Sequence, residues 1–296
     1  MNILITGGTG FFGSHIAGAL STHHAVTVLD LAASRTPFRF IECDLRDAVK
    51  LSEVFPDGVE LVIHAAAKVE IKHVGADAAS LMESNVAATE NLVKVMAGKG
   101  SGKLIYISSM TVYGPENASP VGEGSILGPL HAYGLSKKGG EDVVRRYAAS
   151  DAVKALVLRF PGLYGYPRKG GFMFNAARKL LKGEALTVDT KGLKYWETIN
   201  VDDAAWMIGE IVSRWKWEAP CETINCSYGE EIDLVKTAFL IRGMLSSPSR
   251  IEVKEPLDYK RFYLDNAKLK GLIGRCPDFK RSLAGYLEEH SGWIKQ

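Results

Sequence analysis

The chain begins with an apolar run that leads into a cluster of glycines. Residues 2–13 are Asn2-Ile3-Leu4-Ile5-Thr6-Gly7-Gly8-Thr9-Gly10-Phe11-Phe12-Gly13. An apolar run without alternation predicts a strand buried on both faces of a parallel sheet. The glycines allow a tight turn and a close approach to a pyrophosphate, whose charge the N-terminus of the next helix would meet. The predicted cofactor contacts here are Gly7, Gly10, Phe11, Phe12 and Gly13.

The second predicted strand, residues 25–29, ends at an acidic residue, Asp30. A carboxylate at this position can accept hydrogen bonds from both hydroxyls of an adenosine ribose, and it would repel a 2′-phosphate. We therefore predict NAD rather than NADP as the cofactor. Arg35, on the loop just after Asp30, is the residue that could reverse this preference.

Strands and helices then alternate along the chain. Strands are predicted at 38–42, 61–65, 103–108 and 155–159, and helices at 85–96 and 132–149. This alternation is typical of an α/β fold, a Rossmann-like doubly wound parallel sheet with right-handed crossovers.

After Arg159 the rhythm changes, because the glycines and prolines of residues 161–171 exclude regular structure there. Beyond them the sequence predicts a strand at 197–201 and helices at 174–181, 202–214 (capped by Asp202), 232–244 and 282–290. We predict an NAD-binding domain over 1–160, to which 197–226 returns. Residues 161–296 would form mainly a smaller C-terminal substrate-binding lobe.

Two further strand ends carry candidate cofactor contacts, because the carboxyl ends of parallel strands line the ligand crevice. Asp44, followed by Leu45, is placed to bond an adenine amine. The small side chains after the fourth strand, Ala65, Ala66 and Ala67, would let a cofactor lie flat. His64 is interpreted as a packed histidine.

Tyr133 and Lys137 form the one Tyr-x-x-x-Lys pattern in the chain. This spacing places both side chains on one face of a helix, one turn apart. An ammonium beside a phenol lowers the phenol's pKa from about 10, which makes Tyr133 a usable acid and base. A hydroxyl partner is available at the end of an earlier strand, in Ser109 and Thr111.

Composition excludes several classes of protein. The 296 residues include 36 Lys and Arg against 34 Asp and Glu, a net charge of +2, which argues against binding to nucleic acid or to a membrane surface. No apolar run approaches the about 20 residues of a membrane span. We see no signal peptide and no metal-ligand pattern, and the scattered cysteines favour reduced thiols in a cytoplasmic protein. Those cysteines are Cys43, Cys221, Cys226 and Cys276.

The chain resembles the extended short-chain dehydrogenase/reductase family, in its NAD-dependent epimerase/dehydratase group. The resemblance runs along nearly the whole chain, and its motifs are specific for the family but not for a substrate. They are Thr6-Gly7-x-x-Gly10-x-x-Gly13, Asp44-Leu45, His64-Ala65-Ala66, Asn85-Val86 with Thr89, Ser109-x-x-x-Tyr113-Gly114, Tyr133-x-x-x-Lys137, Arg159, Val201-Asp202-Asp203-Ala204 and Leu264-Asp265-Asn266-Ala267-Lys268.

The resemblance implies a role for each matched position. Tyr133 would exchange a proton with a substrate hydroxyl or carbonyl, and Lys137 would hold the nicotinamide ribose and tune Tyr133. Ser109 would hydrogen-bond the reacting oxygen. The second lobe would close over a small-molecule substrate, with Thr111, Lys68 and Arg168 as candidate substrate contacts. We also expect a homodimer.

Three departures from the family pattern bear on the substrate. Dehydratases of the family resemble Thr-Asp-Glu where this chain has Ser109-Met110-Thr111, so dehydration is not expected unless Glu70 or Glu123 reaches in. Nucleotide-sugar enzymes often carry Asn after the strand that holds Arg159, and an Arg near Glu197; here these places hold Phe160-Pro161-Gly162 and Tyr195-Trp196. Other cations would have to contact a diphosphate, and the candidates are Arg168, Lys169, Arg178, Lys194 and Arg261.

The leading hypothesis is therefore an NAD-dependent epimerase or ketoreductase acting on a sugar, most simply a nucleotide-linked one. Two alternatives remain open. One is a 3-hydroxysteroid-like or other small-alcohol dehydrogenase, and the other is a non-catalytic protein that senses NAD. The intact set of Ser109, Tyr133 and Lys137 argues against the sensor.

Overall fold

The structure, a computed structural model, describes residues 1–32, 36–69, 78–191, 196–254 and 260–296. Arg35, Glu70, Lys194 and Tyr195, which the sequence analysis singled out, lie outside the described residues. Two compact units result from the fold. The first comprises Met1–Gly114, Ile126–Phe160 and Ile208–Ile224, and the second Pro115–Ser125, Pro161–Met207 and Asn225–Gln296.

The described residues contain eleven strands, numbered in chain order. They are β1 (Asn2–Thr6), β2 (Ala25–Asp30), β3 (Arg39–Glu42), β4 (Leu61–His64), β5 (Lys103–Ser109), β6 (Lys154–Phe160), β7 (Gly162–Tyr164), β8 (Leu186–Val188), β9 (Thr198–Asn200), β10 (Cys221–Asn225) and β11 (Ile251–Val253). Seven of them form one sheet in the order β10-β6-β5-β4-β1-β2-β3.

Ten α-helices connect or flank these strands in the described part of the chain. They are α1 (Phe11–Ser21), α2 (Ala48–Val54), α3 (Ala78–Met82), α4 (Ala88–Gly98), α5 (Ala132–Ala149), α6 (Gly171–Leu181), α7 (Val201–Arg214), α8 (Leu234–Met244), α9 (Ala267–Ile273) and α10 (Phe279–Lys295). A π-helical turn, Glu83–Ala87, leads into α4, and a 3₁₀ turn, Met110–Val112, follows β5.

The first unit confirms the predicted Rossmann-like doubly wound parallel sheet. Strands β1 to β6 pair in parallel, and the strand order reverses between β1 and β4. Ligands bind at such a switch point in open α/β sheets, outside the carboxyl ends of the strands. The sheet's central strands are apolar because both faces are covered; Leu4, Val62 and Leu104 are fully buried.

The second unit contains two small parallel sheets, β7 with β9 and β8 with β11. β7 corrects the expectation that residues 161–171 hold no regular structure. Its three residues pair with β9 because Gly162 N donates to Glu197 O at 3.2 Å and Thr198 Oγ1 donates to Gly162 O at 2.8 Å. A glycine-rich sequence can still complete a short ladder when a partner strand supplies the hydrogen bonds.

The division of the chain differs from the predicted boundaries in two places. Residues 115–125, predicted within the NAD-binding domain, belong to the second unit, because Val121 bridges to Leu264 and accepts a hydrogen bond from Asn225 Nδ2 at 2.9 Å. Of the segment 197–226, which was predicted to return to the first domain, only 208–224 lies in the first unit. There β10 lies beside β6 at the edge of the sheet.

Two local predictions are also corrected. Asp202 does not cap α7, since the helix begins at Val201 and Asn200 Oδ1 accepts the Asp202 amide at 2.8 Å. The predicted helix at 85–96 is interrupted, because its first residues adopt the π-helical turn. Single π-turns inside α-helices are frequent at functional sites.

Candidate functional site

The turn after β1 is built so that its backbone lies against the loop after β4. Gly7 has φ +70°, and a Cβ there would collide with the backbone of Ala66. Gly7 N donates to Leu29 O at 2.8 Å, and Gly10 N donates to Gly7 O at 3.1 Å. A Cβ on Gly13 would strike the Gly7 carbonyl, so this glycine lets α1 start directly on the turn. The predicted pyrophosphate turn and the alanine loop therefore meet at the switch point.

The N-terminus of α1 has no side-chain cap among the described residues: Gly10 occupies the cap position. The first amides of a helix need an acceptor and carry a partial positive charge, which suits a phosphate group. Phe11 and Phe12 begin this helix half-buried, and Phe12 packs edge-on against Phe160 with ring centres 5.1 Å apart. These residues fit a dinucleotide whose pyrophosphate lies on the helix end.

Asp30, the predicted ribose contact, is at the end of β2 and half-buried. Its Oδ2 accepts Thr9 N at 3.0 Å and Thr9 Oγ1 at 2.6 Å, and its Oδ1 accepts Leu31 N at 2.8 Å. A carboxylate has about four lone-pair sites, so one remains even with these contacts. The protein therefore fixes the orientation of the carboxylate beside the glycine turn.

Asp44, the predicted adenine contact, forms an ion pair with Arg46, two positions later in the chain. Arg46 approaches it with Nη2 at 2.7 Å and Nε at 3.0 Å, and this pair, with the Arg46 backbone amide, lowers the pKa of Asp44 against the opposing effect of burial. Leu45, next in the chain, is buried in the sheet's core. The alanines after β4, Ala65, Ala66 and Ala67, are half-buried.

His64 is the last residue of β4 and is fully buried. Its Nδ1 lies 2.6 Å from Thr6 Oγ1, and its Nε2 lies 2.8 Å from Thr89 Oγ1. Because Thr89 Oγ1 donates to Asn85 O at 2.6 Å, it must accept from Nε2, and Nδ1 must accept from Thr6. Burial, with the neighbouring Lys137 charge, lowers the pKa of His64 to about 3. His64 is thus a neutral packed residue, as interpreted from the sequence.

Asn85 is a site residue whose position the sequence analysis gave only as a family match. It lies in the π-helical turn, and its amide clamps the loop after β4: Oδ1 accepts Lys68 N at 2.7 Å, and Nδ2 donates to Lys68 O at 2.9 Å. The same Nδ2 donates to Ser136 Oγ at 2.9 Å, on α5. The sequence signal that could have pointed to Asn85 is an amide side chain among the apolar residues of a predicted helix. Lys68 itself is exposed, and its Nζ donates to Ser80 Oγ at 2.6 Å.

Ser109 ends β5 and caps the 3₁₀ turn. Its Oγ accepts Thr111 N at 3.2 Å and Thr111 Oγ1 at 3.0 Å. Since the oxygen accepts both bonds, the hydroxyl hydrogen of Ser109 is left to donate. Between these two residues, Met110 is buried and carries no ionisable group.

The helix α5 lies directly on these segments because it has glycines where it touches them. A Cβ on Gly134 would collide with Thr111 O, and a Cβ on Gly140 would collide with the Tyr106 hydroxyl. The first contact brings the turn that carries Tyr133 against the Ser109–Thr111 segment. Ser136 Oγ donates to Tyr133 O at 2.8 Å, which ties the same turn to the amide of Asn85.

Lys137 is 2% exposed, and its Nζ lies 4.4 Å from the centre of the Tyr106 ring. Burial lowers the pKa of Lys137 to about 7, and the charge of Glu141 opposes that shift. Ser109, Tyr133 and Lys137, the three predicted catalytic residues, therefore all lie in the first unit, around the end of β5 and the start of α5.

The candidate phosphate contacts in the second unit lie in separate settings. Arg168 is exposed, with Nη1 donating to Leu163 O at 3.1 Å. Arg261 pairs with Glu231 at 3.3 Å. Lys169 lies 5.8 Å from the Trp293 ring, and Arg178 lies 5.9 Å from that of Phe174.

Three further findings concern the described residues as a whole. No helix among them is both long enough and apolar enough to cross a membrane. Within the same residues, no cluster of His, Cys, Asp or Glu side chains is arranged to hold a metal ion. The cysteines are free thiols.

Comparison with known proteins places these features in a family. The model of the NAD-dependent epimerase/dehydratase family matches residues 3–226. A putative UDP-glucose 4-epimerase of Methanocaldococcus jannaschii is 28% identical over 91% of this chain and 92% of its own length.

Two solved structures share the fold. The UDP-glucose 4-epimerase of Thermotoga maritima, solved with UDP-glucose, has a TM-score of 0.85 at 23% identity, covering 99% of this chain and 100% of that one. The UDP-glucose 4-epimerase of Bifidobacterium longum, solved with NAD⁺ and UDP, has a TM-score of 0.84 at 21% identity, covering 100% and 99%.

We expect the protein to bind NADH more tightly than NADPH, because the fixed carboxylate of Asp30 would repel a 2′-phosphate. Fluorescence titration of both cofactors at equal ionic strength measures the ratio. Asp30→Asn should bring the affinities for NADH and NADPH closer together. Asp57→Asn, the same change at an exposed aspartate, should leave the ratio of the two affinities unchanged. Tighter binding of NADPH by the wild type would contradict this prediction.

We expect His64 to make the fold sensitive to acid. The unfolded chain binds a proton at His64 below pH 6.5, the folded chain does not until about pH 3, and stability therefore falls as pH drops between these values. Urea unfolding at about pH 7 and about pH 5 should show the wild type losing about 2 kcal/mol more than His64→Asn. The exposed-residue control His23→Asn should lose as much as the wild type; equal losses in all three proteins would refute the assignment.

Proposed function

We propose that this protein epimerises a nucleotide-linked sugar. The chain belongs to the NAD-dependent epimerase/dehydratase family, and NAD is its cofactor. UDP-glucose is the first substrate to test. The observation that carries the proposal is the cluster of Ser109, Tyr133 and Lys137 at the carboxyl end of β5, in the same unit as the glycine turn. The match to a putative UDP-glucose 4-epimerase over 91% of this chain supports the choice of sugar.

The cofactor fits residues of the first unit. The uncapped N-terminus of α1 would hold the pyrophosphate, Asp30 the adenosine ribose, and the loop Ala65–Ala67 the flat side of the cofactor. Lys137 would hold the nicotinamide ribose. When bound, NAD supplies the reversible acceptance of a hydride from the sugar carbon.

Each polar group of the cluster has one task in this proposal. Tyr133 accepts the proton of the sugar hydroxyl at its Oη and later returns it. Ser109 donates its hydroxyl hydrogen to the same sugar oxygen, because its own oxygen already accepts two hydrogen bonds from Thr111. The ammonium of Lys137 favours the phenolate of Tyr133 by its positive charge. Proton transfer by a positioned side chain contributes about 10²–10⁴-fold to a rate.

Dehydration is not part of the proposal. Elimination of water needs a second acid and base beside the tyrosine, and Met110 is buried and cannot ionise. Glu123, one of two carboxylates that could have replaced them, accepts the backbone amide of Asn225 at 2.9 Å. The other, Glu70, lies outside the described residues. Arg168, which is exposed, stays the proposed contact for the diphosphate. In the first unit, Thr111 and Lys68 stay the proposed substrate contacts.

The proposal extends to a homodimer in the cytoplasm. Met82 and Leu135 are 41% and 51% exposed, on the neighbouring helices α3 and α5, where a second copy would cover them. Light scattering should give twice the mass of the chain, and Leu135→Lys should reduce it to the mass of one chain. A wild type of single-chain mass would contradict the dimer.

We expect the purified protein to interconvert UDP-glucose and its 4-epimer without net consumption of cofactor. Tyr133→Phe should lower kcat by about 10²–10⁴-fold, because the proton acceptor is removed, while cofactor binding persists. Tyr147→Phe, on the same helix, is the matched control and should keep full activity.

Other outcomes would identify other functions. A protein that retains NAD through purification but never turns over UDP-sugars would favour the sensor. Turnover that consumes NADH on a keto-sugar would favour the ketoreductase, and oxidation of steroid alcohols the dehydrogenase. Near-wild-type turnover by Tyr133→Phe would contradict the mechanism.

A further inference from the structure

Glu141 shares the face of α5 that carries Tyr133 and Lys137, one turn beyond the lysine and two beyond the tyrosine. It is fully buried, although a charged side chain is seldom buried without partners. Its Oε1 accepts Ser108 Oγ at 2.6 Å and Arg159 Nε at 2.9 Å, and its Oε2 accepts Arg159 Nη2 at 2.6 Å. The site as proposed so far gives this carboxylate no task.

We propose that Glu141 is a positioning residue that acts on Tyr133 through Lys137 and through the end of β5, while Arg159 holds the carboxylate in place. This inference rests on the proposed acid–base roles of Tyr133 and Lys137.

The first part of the argument is mechanical. Ser108, which donates to Glu141, directly precedes Ser109. Arg159, on β6, also donates from Nη1 to Tyr113 Oη at 2.8 Å, and Tyr113 N donates to Met110 O at 3.0 Å. One carboxylate therefore ties the ends of β5 and β6 and the 3₁₀ turn to the helix that carries Tyr133. A shift of this carboxylate would move the Ser109 hydroxyl relative to the phenol.

The second part is electrostatic. Lys137 is buried, which favours its neutral amine, whereas the proposed mechanism needs its ammonium. The titratable groups near it are Tyr133 and Glu141 from α5, His64 from β4 and Tyr106 from β5. Arg159 from β6 is bonded to Glu141 and to Tyr113, so it acts on Lys137 through Glu141.

Glu141 keeps its charge in this setting. Burial raises the pKa of its carboxyl, but the hydrogen bonds and charge of Arg159, with smaller effects of Ser108 and Arg145, outweigh burial and lower it. The Glu141 anion stabilises the Lys137 ammonium, and Arg159 holds that anion in its charged form. Removal of the Glu141 charge must therefore lower the titration midpoint of Lys137.

The test reads Lys137 directly, by NMR titration of the NAD-bound protein labelled with ¹³C and ¹⁵N in lysine, with Lys137→Met for assignment. Glu141→Gln should lower the midpoint of Lys137 by about one pH unit, a tenfold change in the ionisation constant. Arg146→Met, which removes a positive charge from the exposed face of the same helix, should leave it unchanged.

The pH profile of kcat should follow this shift. As the pH is raised, Glu141→Gln should lose its activity at a lower pH than the wild type does. A merely structural carboxylate would lower the stability of Glu141→Gln and move no midpoint. If Glu141→Gln does not fold because Arg159 is left unpaired, the double variant Glu141→Gln/Arg159→Met leaves neither charge and should still show a midpoint below that of the wild type.

An unchanged or raised midpoint in Glu141→Gln, or a double variant at or above the wild-type value, would overturn the inference. The titration needs no substrate, so it separates a failure of this inference from a failure of the proposed epimerase activity. If the Lys137 midpoint shifts as predicted but the protein does not turn over UDP-glucose, only the proposed activity is rejected.

Discussion

The close packing of α5 on the sheet is the contact on which the rest of the site depends. Two glycines make it possible, since a Cβ on Gly134 would meet the Thr111 carbonyl and one on Gly140 the Tyr106 hydroxyl. With the helix at this distance, Lys137 must lie over the Tyr106 ring and lose most of its water. The perturbed lysine follows from backbone proximity, not from any one polar partner.

Much of the fold follows from local pattern. The apolar runs that become β1, β4 and β5 are buried on both faces, and the alternation of strands and helices is enough to predict their parallel order. The Tyr133 and Lys137 pair follows from spacing on a helix. These features could be predicted because each depends on residues close together in the chain.

Other features depend on contacts between distant residues, and the sequence could not show them. β7 exists because Glu197 and Thr198 supply its hydrogen bonds, and residues 115–125 join the second unit because Leu264 and Asn225 bind Val121. In the sequence, nothing local distinguishes Glu141 from the other charged residues of its helix. Only the tertiary fold reveals that Arg159, 18 positions later, neutralises it in the interior.

The seventh strand of the sheet has a consequence for how the chain is made. β6 ends at Phe160, but its neighbour β10 begins only at Cys221, after a segment of which residues 161–207 belong to the second unit. During synthesis the growing chain therefore exposes the free edge of β6 while about 60 further residues are added. An unpaired edge is a template for wrong pairing. The order of the strands thus imposes a waiting period on the nascent protein, during which neighbouring chains on a polysome compete for that edge.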